Sequence, residues 1–292
     1  MDFTFTPEQD ELRSQARAFL ADHPEPSWRE LAELGWTGVS IAEEHGGAGL
    51  SFLEEAVLLE ELGRALYHGP YFSTVALTLP ALPGELLAEV ASGETSWTLA
   101  LGPLVSDLDT ADRVAMVGGD GVYELEGGER EILLTTDESR PLGVVRGGEP
   151  GRRLADSTML EEIRHRALAA LALEACGVAR RALEHAIEHV STREQFGKQI
   201  GVYQAISHPL ADSFVRLELA RSTSYWAAWC VATGDPDAGI AAAAAKASAA
   251  EAAVFACETS IQAHGGIGFT WEHPLHRYYK RAQWIESFGG YP

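Results

Sequence analysis

Two stretches in the C-terminal half combine side chains that suit binding of a phosphorylated cofactor. In STREQFGKQIGVYQ (191–204), Arg193 and Phe196 stand three apart at an expected helix end, where a guanidinium and an aromatic ring can face the same side. A guanidinium fork matches two phosphate oxygens, and the ring can stack on a base; a purely structural helix terminus fits the same residues. In QAHGGIG (262–268), the glycines allow backbone amides to approach a phosphate or ribose, and Gln262 and His264 can add hydrogen bonds. A glycine-terminated helix is the plainer alternative. The stretch lacks the preceding strand and GxGxxG spacing of a dinucleotide fold.

Other constellations carry less. Glu162-Ile163-Arg164-His165 has the Glu-x-x-His spacing of a di-iron bundle, but no second copy exists. His185 and His189 are four apart with the glutamate misplaced for HExxH, so both motifs read as solvated helix faces and no metal is expected. There is no GxSxG nucleophile elbow and no cysteine beside a histidine.

The elements that must position these residues fall into three segments. Residues 1–90 read as a helical domain: Thr6/Gln9, Ser27/Glu30 and Ser51/Glu54 each place a hydroxyl three residues before Glu or Gln, the pattern that caps a first turn. The EEHGGAG stretch between the last two suits a turn with positive φ. Residues 91–153 carry the β-prone runs WTLAL, RVAMV, VYELE, EILLT and LGVVR between glycine-rich turns, which predicts a small β domain of four or five strands. Residues 154–292 return to helix. Met159–Val190, Tyr203–Ala232, Ile240–His264 and a shorter piece after Glu272 predict a four-helix bundle, with the alanine run 241–256 in its interior or at a subunit interface.

Composition narrows the partners. The chain has 292 residues, with 43 acidic against 22 basic and a net charge of −21, which disfavours nucleic acid and anionic membranes. Cys176, Cys230 and Cys257 read as small core residues in a reducing compartment. No signal-peptide pattern and no uninterrupted apolar run of membrane length occurs, so a cytoplasmic location is expected.

Taken in order, these segments resemble the acyl-CoA dehydrogenase family. GWTGVSIAEEHGGAGLSFLEEAVLLEELGRAL (35–66) is similar to its N-terminal helical domain, REQFGKQIGVYQAISHPLADSFVRLELAR (193–221) to its R-x-x-FG-x-x-IG-x-x-Q segment, and QAHGGIGFTWEHPLHRYYKRA (262–282) to its Q-x-x-GG-x-G turn. The resemblance implies a mainly α fold with a middle β domain, assembled around FAD at subunit interfaces. It implies that Arg193 contacts the pyrophosphate, Phe196 packs near the adenine and Gln204 hydrogen-bonds the cofactor. Gln262, Ala263, His264, Gly265 and Gly266 would form a turn against the flavin of a neighbouring subunit.

The departures from the family pattern matter equally. No threonine-glutamate-proline segment or Gly-Ser-Asp turn lies between 85 and 155, and the β domain is about half the usual size. The reaction needs a carboxylate to take the α-proton, yet the two positions where the family places it fall on Gly289 and Ala167. Glu286, Glu162 and Glu174 are the nearby substitutes. The resemblance therefore implies the non-catalytic subunit of a heteromeric dehydrogenase, expected as a tetramer, that completes the flavin site of a catalytic partner. That partner would hold most of the acyl-CoA, and an electron-transfer flavoprotein or similar acceptor would take the electrons. A homo-oligomeric enzyme with a relocated base and a flavin-free scaffold of the same fold are the alternatives.

Overall fold

The computed structural model describes residues 4–289. Its N-terminal helices α1 (Pro7–Asp22), α2 (Trp28–Glu33) and α3 (Phe52–Ala65) begin at the three expected capping boxes. At the first, Thr6 Oγ1 accepts the Gln9 amide at 3.2 Å, and Gln9 returns the bond to the Thr6 amide at 3.1 Å. A π-helical turn, Phe72–Thr78, and α4 (Gly84–Ala91) follow; neither carries a polar cap, and neither is foreseen in the sequence.

The β region holds seven strands rather than four or five. The five expected runs become β1 (Trp97–Ala100), β3 (Arg113–Val117), β4 (Gly121–Glu126), β5 (Glu129–Ile132) and β6 (Leu142–Arg146). The two additions are β2 (Val105–Ser106), too short to show a period, and β7 (Glu149–Asp156). Pro150, Gly151 and two arginines disguise β7, whose pairing with β4 shifts register twice. The strands form two sheets, β1-β3-β4-β7 and β2-β6-β5. Gly127-Gly128 carries the chain from the first sheet to the second, and Gly147-Gly148 carries it back. All four have φ between 71° and 88°, and a Cβ on Gly128 would stand 3.0 Å from the Gly147 carbonyl oxygen. The paired turns thus need glycine for both conformation and approach.

The bundle contains α5 (Met159–Thr192), α6 (Gln204–Thr233), α7 (Ala238–His264) and α8 (Leu275–Ser287). Every alanine that faces inward on α7, from Ala241 to Ala256, is at most 3 % exposed, which lets α5 and α6 close on it. The stretch Ala238–Phe269 is long and apolar enough to cross a membrane, at mean hydropathy 1.4, but its contacts are those of an interior bundle helix. The three cysteines are buried and unpaired, as expected of core residues. Helix α3 docks on α5 through two glycines: a Cβ on Gly63 would stand 2.3 Å from the Glu174 carbonyl oxygen, and one on Gly177 1.9 Å from that of Glu60. The mainly α fold with a small β region is as expected.

Candidate functional site

One end of the bundle gathers both motifs. The chain leaves α5 at Arg193 in an extended conformation and makes a hairpin, β8 (Glu194–Gln195) with β9 (Lys198–Gln199). Phe196 and Gly197 turn it with φ of 54° and 74°, the two-residue turn that matches strand twist. Arg193 and Phe196 therefore do not share a helix face, because the helix has already ended. Phe196 is instead held in the left-handed region, at a cost of about 1–2 kcal/mol for a residue with a side chain, and its ring is 92 % exposed. Tyr203 braces the hairpin by donating its hydroxyl to the Gln195 carbonyl at 3.2 Å.

Gln204 opens α6, and Gln262 and Ala263 lie in the last turn of α7. Between these helices runs a cleft of about 540 Å³ lined by Ala205, Ile206, Pro209, Glu258, Thr259, Gln262 and Ala263. Ala205, Ile206, Pro209 and Ala263 give it an apolar lining with a few polar groups, Glu258, Thr259 and Gln262, as ligand clefts commonly have. Arg193, Gln204 and Gln262 are exposed, and among the described residues no hydrogen bond or ion pair engages their side chains. The Gly265–Gly266 backbone ends α7 beside them, and a Cβ on either glycine would meet nothing within 4 Å. A guanidinium, two amides and a bare backbone turn suit a diphosphate and its flanking hydroxyls.

His264 is placed differently from the sequence expectation. Its imidazole is 8 % exposed and does not line the cleft, stacking instead on His189 with ring centroids 4.2 Å apart. His185 and His189 are likewise not on solvated faces; both are half-buried, with His273 completing the group. Their rings pack against one another, and among the described residues no three His, Cys, Asp or Glu groups converge as metal ligands.

The candidate bases fare unequally. Ala167 is buried, and Glu162 is exposed on the first turn of α5. Glu174 is no base: it is fully buried between Arg140, at 2.8 Å, and Arg281, at 2.5 Å. Burial opposes its ionisation, but the two guanidiniums together hold its carboxyl below the usual range. Glu286 is half-buried, and its backbone carbonyl accepts from Lys246 Nζ at 2.7 Å. Gly289 is exposed with φ 77°, and Gly290, Tyr291 and Pro292 of the terminal ESFGGYP lie outside the described residues.

Glu174 belongs to a network that sequence reasoning missed. Where α3, α5, α8 and the 137–140 segment meet, the buried Arg281 donates to Asp137 at 2.7 Å, to Glu174, and to the Ser139 carbonyl and hydroxyl at 2.8 Å each. Arg140 lies over the rings of Phe72 and Trp284, at 5.1 and 4.8 Å, and 3.6 Å from the buried Asp107. Phe288, one residue before Gly289, packs on Phe72 and Trp284. The cavity left here is about 10 Å³, room for one water at most. One signal was available: Arg281 shares the face of α8 that carries Leu275, Tyr278, Ala282 and Ile285, a charge on an apolar stripe.

Comparison with known proteins agrees with this layout. Residues 6–83 match the acyl-CoA dehydrogenase N-terminal domain and residues 158–291 the acyl-CoA dehydrogenase C-terminal domain, leaving the sheets between them. The chain is 34 % identical to acyl-CoA dehydrogenase IpdE2 of Mycobacterium tuberculosis (strain ATCC 25618 / H37Rv), across 89 % of this chain and 81 % of that one. It is 36 % identical to FadE34 of the same strain, across 92 % of this chain but only 41 % of that protein. Among solved structures, the Tcur3481-Tcur3483 steroid ACAD G363A variant superposes with a TM-score of 0.88 at 28 % identity, covering 97 % of this chain and 94 % of that one. The ChsE4-ChsE5 complex from Mycobacterium tuberculosis superposes at 0.87 and 25 % identity, covering 99 % and 95 %. Fold and sequence together define an α-helical flavoprotein oxidoreductase. The chain belongs to the acyl-CoA dehydrogenase family, in a shortened form, and FAD is the cofactor of that family.

Proposed function

We propose that this chain is the non-catalytic subunit of a hetero-oligomeric, FAD-dependent acyl-CoA dehydrogenase, a tetramer with a catalytic partner. The observation that carries the reading is an asymmetry. The bundle end presents Gln262 in an open cleft, with Arg193 and Gln204 exposed on neighbouring segments and none of the three side chains hydrogen-bonded or ion-paired among the described residues, while the junction beside Gly289 holds Arg140, Arg281 and their carboxylates. A chain built this way can complete a flavin site from outside, while the void inside its own buried network holds no more than a water; the cavity of about 430 Å³ beside that network is lined by Asp137, Ser139, His276, Arg277 and Lys280. Two similar structures are of two-component proteins by their names, and one is a steroid ACAD, which favours a bulky acyl-CoA as substrate.

Bound at this surface, FAD would supply the hydride acceptor for the β-hydrogen of the acyl-CoA. The residues of this chain bind and orient: Arg193 would neutralise the pyrophosphate, Gln204 and Gln262 would fix it by hydrogen bonds, and the bare Gly265–Gly266 backbone would let the ADP portion approach. The exposed Phe196 ring would cover the adenine. The α-proton goes to a carboxylate of the partner, which also holds most of the acyl-CoA; an electron-transfer flavoprotein or similar acceptor reoxidises the complex. Buried, unpaired cysteines fit a cytoplasmic location.

Co-purification with a catalytic dehydrogenase subunit should give a yellow complex that loses flavin on Arg193→Ala. A colourless complex, or flavin retained after that change, overturns the assignment. If the chain alone binds FAD and reduces it with an acyl-CoA, and Glu286→Gln stops the reduction, a homo-oligomeric enzyme with a relocated base replaces it. A colourless homo-oligomer with no partner would mark a flavin-free scaffold.

A further inference from the structure

Four imidazoles meet where α5 ends, α7 ends and the loop into α8 begins. His264 is central, 4.2 Å from His189 with rings 23° apart, and 4.3 Å from His273 with rings 50° apart. His185 closes the group 5.6 Å from His273, with Tyr278 beyond it at 5.9 Å. The hydrogen bonds assign the protons. His264 Nδ1 lies 2.8 Å from the Ser260 carbonyl oxygen, which can only accept, so Nδ1 carries the hydrogen. His273 has the opposite tautomer, because its Nδ1 accepts the amide of Leu275, the first residue of α8, at 3.3 Å.

This stack touches both halves of the flavin-facing surface. His189 accepts the Arg193 amide on its backbone carbonyl at 2.9 Å, so the ring of His189 rides on the same turn that presents the guanidinium. His264 directly precedes Gly265–Gly266. Ring contact between His189 and His264 is therefore a side-chain tie between the end of α5 and the turn after α7.

We propose that His264 is a positioning residue: stacked between His189 and His273, it holds the Arg193 end of α5 and the Gly265–Gly266 turn at the spacing a diphosphate needs. The inference rests on the flavin reading above. The tie works while the rings are neutral. Arg181, Arg193 and His276 face the group with like charge, and Glu184 is the opposing carboxylate. Protonating His273 would also take its Nδ1 lone pair from the Leu275 amide and set a cation at the start of α8, where the helix dipole disfavours it.

The titration follows from those surroundings. Burial, then Arg181 and the neighbouring imidazoles, lower His185 to about 4. Burial, His264 and Arg193 lower His189, and burial with the adjacent imidazoles lowers His273. The unfolded value is about 6.5, so the folded state binds fewer protons below it. The stack's contribution is whole above about pH 6.5 and is lost as pH falls from there.

The test compares the wild type with His264→Phe and His264→Ala. Two quantities are read at about pH 8 and about pH 5.5: hydrogen exchange of the amides from Gly265 to Thr270 in the full chain, and the FAD dissociation constant of the complex with the catalytic partner. His264→Ala should speed exchange and weaken FAD roughly tenfold at both pH values, the scale of losing two ring contacts. The wild type should lose flavin affinity severalfold in acid. His264→Phe should match the wild type at the higher pH and reduce the acid loss, since a phenyl face attracts a neighbouring imidazolium while burial still disfavours protonation of His185, His189 and His273. Unchanged exchange in His264→Ala, or an undiminished acid loss in His264→Phe, overturns the role. Exchange that changes as expected in a complex that never binds FAD keeps the tie and instead overturns the flavin reading.

Discussion

The outer end of the bundle and its inner junction with the sheets treat polar groups in opposite ways. At the outer end, Arg193, Gln204 and Gln262 are exposed, and among the described residues no hydrogen bond or ion pair engages their side chains. Leaving them so costs nothing, because water satisfies them until a ligand does. At the junction, Arg140, Arg281, Asp137 and Glu174 are at most 3 % exposed, and charges out of water must be answered inside the protein. The first region leaves its polar groups to water, and the second answers most of its charges internally, although Arg140 Nε and the Asp107 carboxylate, 3.6 Å apart, make no hydrogen bond. The difference teaches that one fold can leave a polar surface open at one end of its bundle while ion pairs and packing close the other.

The largest effect should come from opening the closed region. Arg281→Met takes the guanidinium from buried Asp137 and one of the two from Glu174, which keeps Arg140, and should cost about 3–5 kcal/mol in urea unfolding; a loss under about 1 kcal/mol would mean that the network does not hold the junction together.

The open region should behave in the reverse manner. Arg193→Ala should leave stability within about 0.5 kcal/mol but weaken FAD binding by the partner complex roughly 10- to 100-fold, as expected for a charge-assisted bond. Equal stability losses at Arg193 and Arg281 would erase the contrast.

Acid should strike the junction through its carboxylates. Asp137 and Glu174 are each pushed up by burial, yet the arginines bring both below their ordinary values, with Ser139 also aiding Asp137. Their stabilisation is therefore present above the unfolded values of about 4 and is lost as pH falls through the folded ones. Asp107 is raised by burial and relieves part of that loss when it takes a proton. In Arg281→Met the acid limb of a stability–pH curve should become shallower; an unchanged slope would place the acid sensitivity elsewhere.

Gly289→Glu should do least. At φ 77° a side chain costs about 1 kcal/mol, and the chain alone should still not reduce a flavin with acyl-CoA, because the void next to Phe72, on which Phe288 packs, is only about 10 Å³. Measurable reduction would show that only the base was missing.

Legibility followed the range of the interactions. The capping boxes at Thr6, Ser27 and Ser51 are complete within four residues, and each appears where it was read. The bundle helices announce themselves by long runs without breakers. Strand β7 escaped because its partner β4 lies more than twenty residues away and tolerates Pro150 and Gly151 through irregular pairing. The Gly-Gly pairs read only as turns, and the division into two sheets was not legible, since a turn that changes sheets has the same residues as one that stays.

From sequence alone came the mainly α fold with its small β region, the family, the candidate motifs around Arg193 and Gln262, and the glycine at 289, because each is written in neighbouring residues or in their order. Tertiary structure alone decided that Phe196 leaves the helix, that His264 turns inward onto His189, and that Glu174 is a locked counter-ion. Those outcomes depend on which groups from distant segments reach the same few ångströms, and on the cost of burying a charge or an imidazole without company.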